Sequence, residues 1–445
     1  MSDKPNFFPA LRMCRNPSKT KGSAMFSFIH AADIHIDSPM HKLDAYDGAP
    51  VEAFRLSTRK SLENIVDRAA ADKADFVLIS GDLYDGDWKD YNTGLYFVSQ
   101  MNRLREAGIP VFIAAGNHDA ASAITKSLRL PDNVTLFGAA RAETLLLEEL
   151  PVAIHGRSFA SPAEKKDLSR DYPDPVRGRF NIGMLHTALT GRPGHEPYAP
   201  CSLPGLREKG YHYWALGHVH EYEVLCDDPF IVFPGNTQGR HIREPGPRGC
   251  LLVTVGEDMG IASEFIATDV ARWFTLTIDS GEAQSPYDVV DAFAGRLEVL
   301  LSENESMPLA VRVEIAGETP VAADLSADPD RWTGEIRAAA MTSGGGRVWV
   351  EKVQFSCRLP QAVHQERMGG AMEELLVLFD ELADDPDARM ALAEALSDFH
   401  RRLPPEVRDG PDGIRLDDPD WVGDMIEQVR PELVGRLMRK GGGDA

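Results

Sequence analysis

Cysteine is scarce in this 445-residue chain. Its five copies, Cys14, Cys201, Cys226, Cys250 and Cys357, are scattered and form no CxxC pair. That argues against a disulfide framework and against a thiolate zinc site, and a reducing cytoplasm is the simplest setting. Long apolar runs are lacking too. No stretch approaches the roughly 20 residues that span a bilayer, so no membrane partner is expected. The opening MSDKPNFFPALRMCRNPSKTKGSA carries basic residues without an apolar centre, which makes it a poor signal peptide. Residues 1–24 read as disordered, with folded structure beginning near Met25. Positive charge is short: 47 Lys and Arg against 69 Asp and Glu leave a net charge of −22. A protein that holds nucleic acid by its overall field is thereby disfavoured, whereas a local basic groove is not. There is no internal repeat and no long low-complexity tract.

What is present is a soluble, globular composition, 43% apolar and 26% charged, on a chain long enough for two or three domains. FSFIHAAD, DFVLIS and VFIAA read as buried strands. Helical spacing over Val51–Ala71 and Asn92–Ala107 separates them, as in βαβ units with a mainly parallel sheet. Shorter β-like runs follow (VTLFG, TLLLEEL, VAIHG, FNIGMLH, YHYWALGH, FIVFPG and CLLVTV). With fewer helices between them, they suggest a second sheet stacked on the first. Near Val270 the pattern becomes β-α-β-α-β, with RWFTLTID, LAVRVEIAG and RVWVEKVQF as strands. From about Pro360 helix-like segments dominate: AMEELLVLFDEL, ARMALAEALSDFHRRL and DWVGDMIEQVRPELVGRLMRK. Joined so loosely, such helices need the body of the protein or a partner to cover their apolar stripes. The expected division is therefore a main domain over 25–268, a small α/β domain over 269–357 and a helical region over 358–445.

Polar clusters end the apolar runs. Asp33-Ile34-His35 follows the first strand, Gly81-Asp82-Leu83-Tyr84-Asp85 the second and Gly116-Asn117-His118-Asp119 the third. His186 and His218-Val219-His220 close later runs. Ligands in open α/β sheets gather at the carboxyl ends of strands. Residues two apart on an extended segment share a face, so Asp33 with His35, and His218 with His220, are expected to aim at one point. Carboxylate, amide oxygen and imidazole without thiolate suit Mn²⁺, Fe²⁺ or Zn²⁺. There are too many such groups for one ion. Two metals roughly 3.5–4 Å apart would clamp a phosphorus centre for in-line displacement.

The order D-x-H, GD, GNHD, a lone His, then GHxH resembles the calcineurin-like metallophosphoesterase superfamily from Asp33 to His220. FIHAADIHIDSP, ISGDLYDGD, GNHDA, YHYWALGHVHEYEVL and IVFPGNTQGRHIRE are similar to bacterial DNA-repair exonucleases of the SbcD type, in the YhaO-like branch. The likeness runs over about Met25–Ala267. It implies an α/β fold of two stacked mixed sheets flanked by helices in four layers, followed by a small capping domain. It further implies that Asp33, His35 and His220 hold one metal, Asn117, His186 and His218 the other, and that Asp82 bridges both. His118 would stabilise the phosphorane or protonate the leaving oxygen. Asp119 would either orient His118 or cap a helix that begins there. Asp85 stands where some distant nuclease relatives carry histidine. His241, in a basic stretch with Arg240 and Arg243, is a candidate phosphate contact.

The function expected from this resemblance is a two-metal phosphodiesterase acting on DNA, with Mn²⁺ foremost and a metal-activated water as nucleophile. Its partners by resemblance are DNA, a coiled-coil ABC-type ATPase of the SbcC or YhaN kind docked on the C-terminal helices, and a second copy in a homodimer. One alternative is an esterase for a cyclic nucleotide or other small phosphoester. Phosphoprotein fits poorly, since such phosphatases carry GDxVDRG and GNHE. A non-catalytic, metal-stabilised scaffold is the remaining alternative.

Overall fold

A computed structural model of the chain describes residues 24–38, 51–85, 91–121, 129–189, 198–360, 371–403, 408, 413–426, 429–430 and 433. Apart from Ala24, the segment read as disordered lies outside them, as does the end of the last predicted helix. Two compact units are present. The first ends at Arg272, and the second opens at Trp273 and also takes in His241–Pro245.

The first unit runs β1 (Ala24–Ala31), α1 (Val51–Arg55), α2 (Ser57–Ala71), β2 (Phe76–Ser80), α3 (Asn92–Glu106), β3 (Val111–Ala114), α4 (Asn117–Ala121) and β4 (Val134–Leu136). It continues through β5 (Glu143–Leu146), β6 (Val152–Gly156), β7 (Phe180–His186), α5 (Leu203–Glu208) and β8 (Tyr213–Gly217). β9 (Glu223–Asp227), β10 (Phe230–Phe233), β11 (Gly249–Gly256) and β12 (Ile261–Ala267) complete it. These strands make two six-stranded sheets, ordered β12-β11-β1-β2-β3-β4 and β5-β6-β7-β8-β10-β9. In the first sheet β1 to β4 are parallel, with β11 and β12 antiparallel at one side. In the second, β6, β7, β8 and β10 are parallel between antiparallel edges.

Strand alternation divides the core into layers. Phe180, Ile182, Met184, Tyr213 and Ala215 meet Phe26, Phe28, Phe76 and Phe112 between the sheets. There the Phe28 ring stands edge-on to Tyr213, with centroids 5.2 Å apart. Trp214, Leu216 and Leu185 face the other way, onto Phe159, Leu168, Tyr172 and Leu206. Outside the first sheet, α2 and α3 press Leu62, Ile65, Val66, Phe97, Met101 and Leu104 against Ile29, Val77 and Ile79. Burial on both faces explains why the central strands read as unbroken apolar runs.

Two of the runs assigned above to a second sheet, VTLFG and CLLVTV, belong instead to the first. They flank its parallel core, β4 beside β3 and β11 beside β1. β9 and β12 gave no sequence signal because they are largely half-buried or exposed and carry no apolar run; β12 alternates exposed and half-buried residues along most of its length.

The second unit begins with the small domain. β13 (Arg272–Asp279), α6 (Pro286–Glu303), β14 (Leu309–Glu318), α7 (Ala322–Ala327), α8 (Pro329–Gly344) and β15 (Val348–Arg358) form a three-stranded sheet, ordered β13-β14-β15, under helices. Its two long helices, α6 and α8, start where the sequence supplies caps. Asp288 accepts the Ser285 amide at 2.8 Å, and Asp328 accepts that of Arg331 at 3.3 Å. Gly345, in the left-handed region, ends α8. Phe293, Leu297, Val311, Val313 and Ile336 fill the core.

α9 (Ala371–Asp384), α10 (Pro386–Ala395) and α11 (Ser397–Arg402) follow, so the stretch read as one helix over 388–403 is broken at Leu396. These helices cover one another in part. Phe379, Leu382, Leu392 and Leu396 pack with Leu416, Val422 and Ile426. Val377, Leu378, Met390 and Phe399 stay at least half exposed. Among the described residues no helix is long and apolar enough to cross a membrane.

Candidate metal centre

The polar clusters of both sheets converge at one edge of the sandwich in the first unit. Asp33 and His35 follow β1, Asp82 follows β2, and Asn117 and His118 open α4 after β3. From the second sheet come His186, the last residue of β7, and His218 and His220, just beyond β8. The presentation of Asp33 and His35 is not strand alternation, as the spacing suggested. Both lie past the end of β1 in left-handed backbone, with φ of 50° and 47°. Asp82 (48°) and His218 (101°) share that strained region, which non-glycine residues seldom occupy. Glycines make the approach feasible. A Cβ on Gly116 would stand 2.3 Å from Asp82 Oδ1, and one on Gly81, itself at φ 91°, would stand 2.2 Å from the His186 ring.

Three overlapping groups of metal-ligating side chains result among the described residues: Asp33, His35 and His220; His35, Asp82 and His118; Asp82, His186 and His218. Asp82 belongs to two of them. Its Oδ2 lies 3.4 Å from His186 Nε2 and 3.9 Å from His35 Nε2. Asn117 Oδ1 lies 3.0 Å from His186 Nε2. All seven predicted ligands are thus brought to one place.

Hydrogen bonds fix which nitrogens face inward. His186 Nδ1 donates to the Ser80 carbonyl oxygen at 3.0 Å, and His35 Nδ1 donates to Asp85 Oδ1 at 3.2 Å. Each therefore turns Nε2 to the cluster, as a ligating imidazole does. His186 Nε2 then faces Asn117 Oδ1, and His35 Nε2 stands 3.4 Å from His220 Nε2. His186 Nε2 and Asn117 Oδ1 are both acceptors, and this close they need a cation between them, either a proton or a metal. Asp33, His35, Asp82 and His186 are all essentially buried, so carboxylates are held in a dry site without lysine or arginine among the ligands. The donor set, its pairing and its burial fit two divalent ions of the Mn²⁺, Fe²⁺ or Zn²⁺ kind.

The electrostatics agree. Burial raises the carboxyl of Asp82, but His186, His35 and His118 outweigh it and hold the group well below the usual carboxylate range. Burial depresses His186, yet Asp82 and Asp33 lift it to about 9. The field that would hold a metal thus also holds a proton. Burial, aided by Arg240, pushes His35 down to about 3. Asp33 is raised by burial, with His220 and His186 opposing.

His118 differs from the ligands. Its side chain is 41% exposed, and Nδ1 lies 3.3 Å from Asp85 Oδ1. The carboxylate beside His118 is therefore Asp85, not Asp119. Asp119 is buried and takes backbone amides: Gly116 at 3.0 Å, Tyr84 at 3.1 Å and Leu83 at 3.2 Å. It ties the GNHD turn to the GDLYD loop. Burial and the neighbouring Asp82 raise it to about 6. Asp85 also accepts from Ser38 Oγ at 2.8 Å and lies 3.6 Å from Arg240 Nη1. Burial opposes its ionisation, but His35, Arg240 and Ser38 hold it well below the ordinary range. The second Asp of GDLYD was visible in the sequence, and Arg240 stood in a noted basic stretch. Ser38 had no signal, since its partner is 47 residues away.

The family model described as "Calcineurin-like phosphoesterase" matches residues 26–222, and "Metallophosphoesterase YhaO, middle domain" matches residues 273–358. The chain is 34% identical over 301 residues to the "Uncharacterized metallophosphoesterase YhaO" of Bacillus subtilis (strain 168), covering 66% of this chain and 72% of that one. It is 25% identical over 354 residues to the "DNA double-strand break repair protein Mre11" of Methanopyrus kandleri, covering 72% and 69%. To the protein of the same description from Aeropyrum pernix it is 24% identical over 319 residues, covering 66% and 74%.

Proposed function

We propose that this chain, which belongs to the calcineurin-like phosphoesterase family and carries a YhaO-type middle domain, hydrolyses phosphodiester bonds in DNA with two divalent metal ions. The observation that carries the reading is the overlap of ligand groups around Asp82, next to a half-exposed His118. Asp33, His35 and His220 would hold one ion and Asn117, His186 and His218 the other, with Asp82 between them. When bound, such a pair lowers the pKa of a water and stabilises charge on phosphate oxygens. With Asp85 beside Nδ1, His118 offers Nε2 to the leaving oxygen, where it can hold or pass a proton. Asp119 serves the site by fixing the backbone that carries Asn117 and His118.

DNA as substrate is supported by similarity to proteins described as acting in DNA double-strand break repair. The net charge of −22 means that DNA is not gathered by the overall field. We therefore include a coiled-coil ABC-type ATPase as partner, docked on the exposed Val377, Leu378, Met390 and Phe399 of the C-terminal helices. Leu378→Glu with Phe399→Glu should abolish co-purification with that ATPase and spare hydrolysis of a small phosphodiester. The substrate is tested by Mn²⁺-dependent release of nucleotides from linear duplex DNA, with and without the ATPase. Bis-p-nitrophenyl phosphate and cyclic AMP are run beside it. Cleavage of the last two with none of DNA in either condition would replace this reading by that of a small-phosphoester enzyme.

A further inference from the structure

Toward the metal centre the filling between the two sheets changes from apolar to polar. On the inward face of β1, Phe26 and Phe28 are followed by His30, and on that of β2, Phe76 and Leu78 are followed by Ser80; both polar residues are fully buried. Both reach across to β8. His30 Nε2 donates to the Leu216 carbonyl oxygen at 3.1 Å, which leaves Nδ1 to accept the Tyr213 hydroxyl at 2.9 Å. Burial pushes the imidazole down to about 3, so the ring is neutral and offers that one donor and one acceptor. Ser80 Oγ donates to the Ala215 carbonyl oxygen at 3.0 Å. A Cβ on Gly217 would stand 1.8 Å from the Ser80 carbonyl oxygen, so the sheets come close here.

Replacing a buried polar pair by apolar groups of the same shape can be nearly neutral for stability, so what the pair adds is a fixed distance and direction. That matters because each proposed metal subsite straddles the gap between the sheets. One takes Asp33 and His35 from the first sheet and His220 from the second; the other takes Asn117 from the first and His186 and His218 from the second. His30 stands three residues before Asp33, and Leu216 two before His218. Asp33 in turn accepts the His218 amide at 2.9 Å.

We propose that His30 is a positioning residue: its link from β1 to β8 sets the spacing of the two ligand sets and so the affinity of both metal subsites. The proposal rests on the two-metal reading of the site, but not on any substrate. The full-length chain is stripped of metal and titrated with Mn²⁺ calorimetrically, and the electron paramagnetic resonance spectrum of the loaded protein reports how the ions couple. His30→Leu removes both hydrogen bonds, Tyr213→Phe removes one, and His30→Gln keeps an amide donor for Leu216. Phe26→Leu controls for cross-sheet packing, since its ring meets that of Phe180 edge-on at 5.5 Å, on the same face of β1 but at the end away from the metal centre.

His30→Leu should weaken Mn²⁺ binding about 10- to 100-fold and alter the spectrum. Tyr213→Phe should lose less, and His30→Gln should recover part of the affinity. Phe26→Leu should lower the melting temperature and leave affinity and spectrum as in wild type. Wild-type affinity and spectrum in folded His30→Leu would overturn the proposal, as would the same result in Tyr213→Phe if His30→Leu does not fold. An equal loss of affinity in Phe26→Leu would overturn it too. Fewer than two ions in wild type would sink the two-metal reading and the proposal with it, whereas two ions in wild type keep that reading standing whichever way the variants fall.

Discussion

Both compact units bend their backbone sharply at glycines, but the first also does so at residues of its candidate metal centre. In the second unit the left-handed region is taken by Gly317, Gly345 and Gly346, and otherwise only by Ser306 among the described residues. In the first unit glycines such as Gly81 and Gly235 take it too, but so do Asp33, His35, Asp82 and His218, all of them proposed ligands. A non-glycine residue held there costs roughly 1–3 kcal/mol, somewhat less for Asp. Lys73 and Met259 accept the same conformation in turns, so strain alone does not mark a site. The difference lies in what comes with it. In the first unit strained backbone and buried ligands coincide beyond three strands, β1, β2 and β8, with close glycine approach at Gly81, Gly116 and Gly217. In the second, caps, a glycine stop and an apolar core agree with one another, as in a unit built for stability.

The contrast can be broken most forcefully in the second unit. Phe293, fully buried beneath the three-stranded sheet, should cost about 3–5 kcal/mol when cut to alanine. Thermal melts should show an earlier transition, while metal content per chain stays unchanged. Metal loss in step with that transition would mean that the units are not energetically separate.

A smaller effect is expected at the ligands' supports. Asp85→Asn should lower turnover about 10- to 100-fold by loosening His35 and His118. Asp119→Asn should lower the melting temperature before it lowers turnover, since its oxygens serve backbone amides. The reverse order in activity and stability assays would restore Asp119 as the partner of His118. Smallest of all, Asp328→Ala should cost about 1 kcal/mol through the lost cap of α8, read in chemical denaturation, with metal content untouched.

Much of this was legible in the sequence, for physical reasons. Central strands buried on both faces leave apolar runs, and polar residues that end such runs stand out. That is why the ligand candidates and the elements of the small domain other than the short α7 could be read directly. Edge strands β9 and β12 carry no such run. The left-handed backbone at Asp33 and His35 was read as extended, because residues two apart look alike in either case. The Asp85 contacts with Ser38 and Arg240 join segments far apart in the chain, where only the folded backbone brings them together.

The central claim is that Asp82 joins two metal subsites. Elemental analysis of Mn²⁺-reloaded protein, paired with phosphodiesterase turnover, tests it most directly. Wild type should hold two ions per chain. Asp82→Asn should lose metal together with about 10²–10³-fold in turnover, whereas His118→Ala should lose turnover and keep both ions. Full metal content and activity in Asp82→Asn, or fewer than two ions in wild type, would contradict the account.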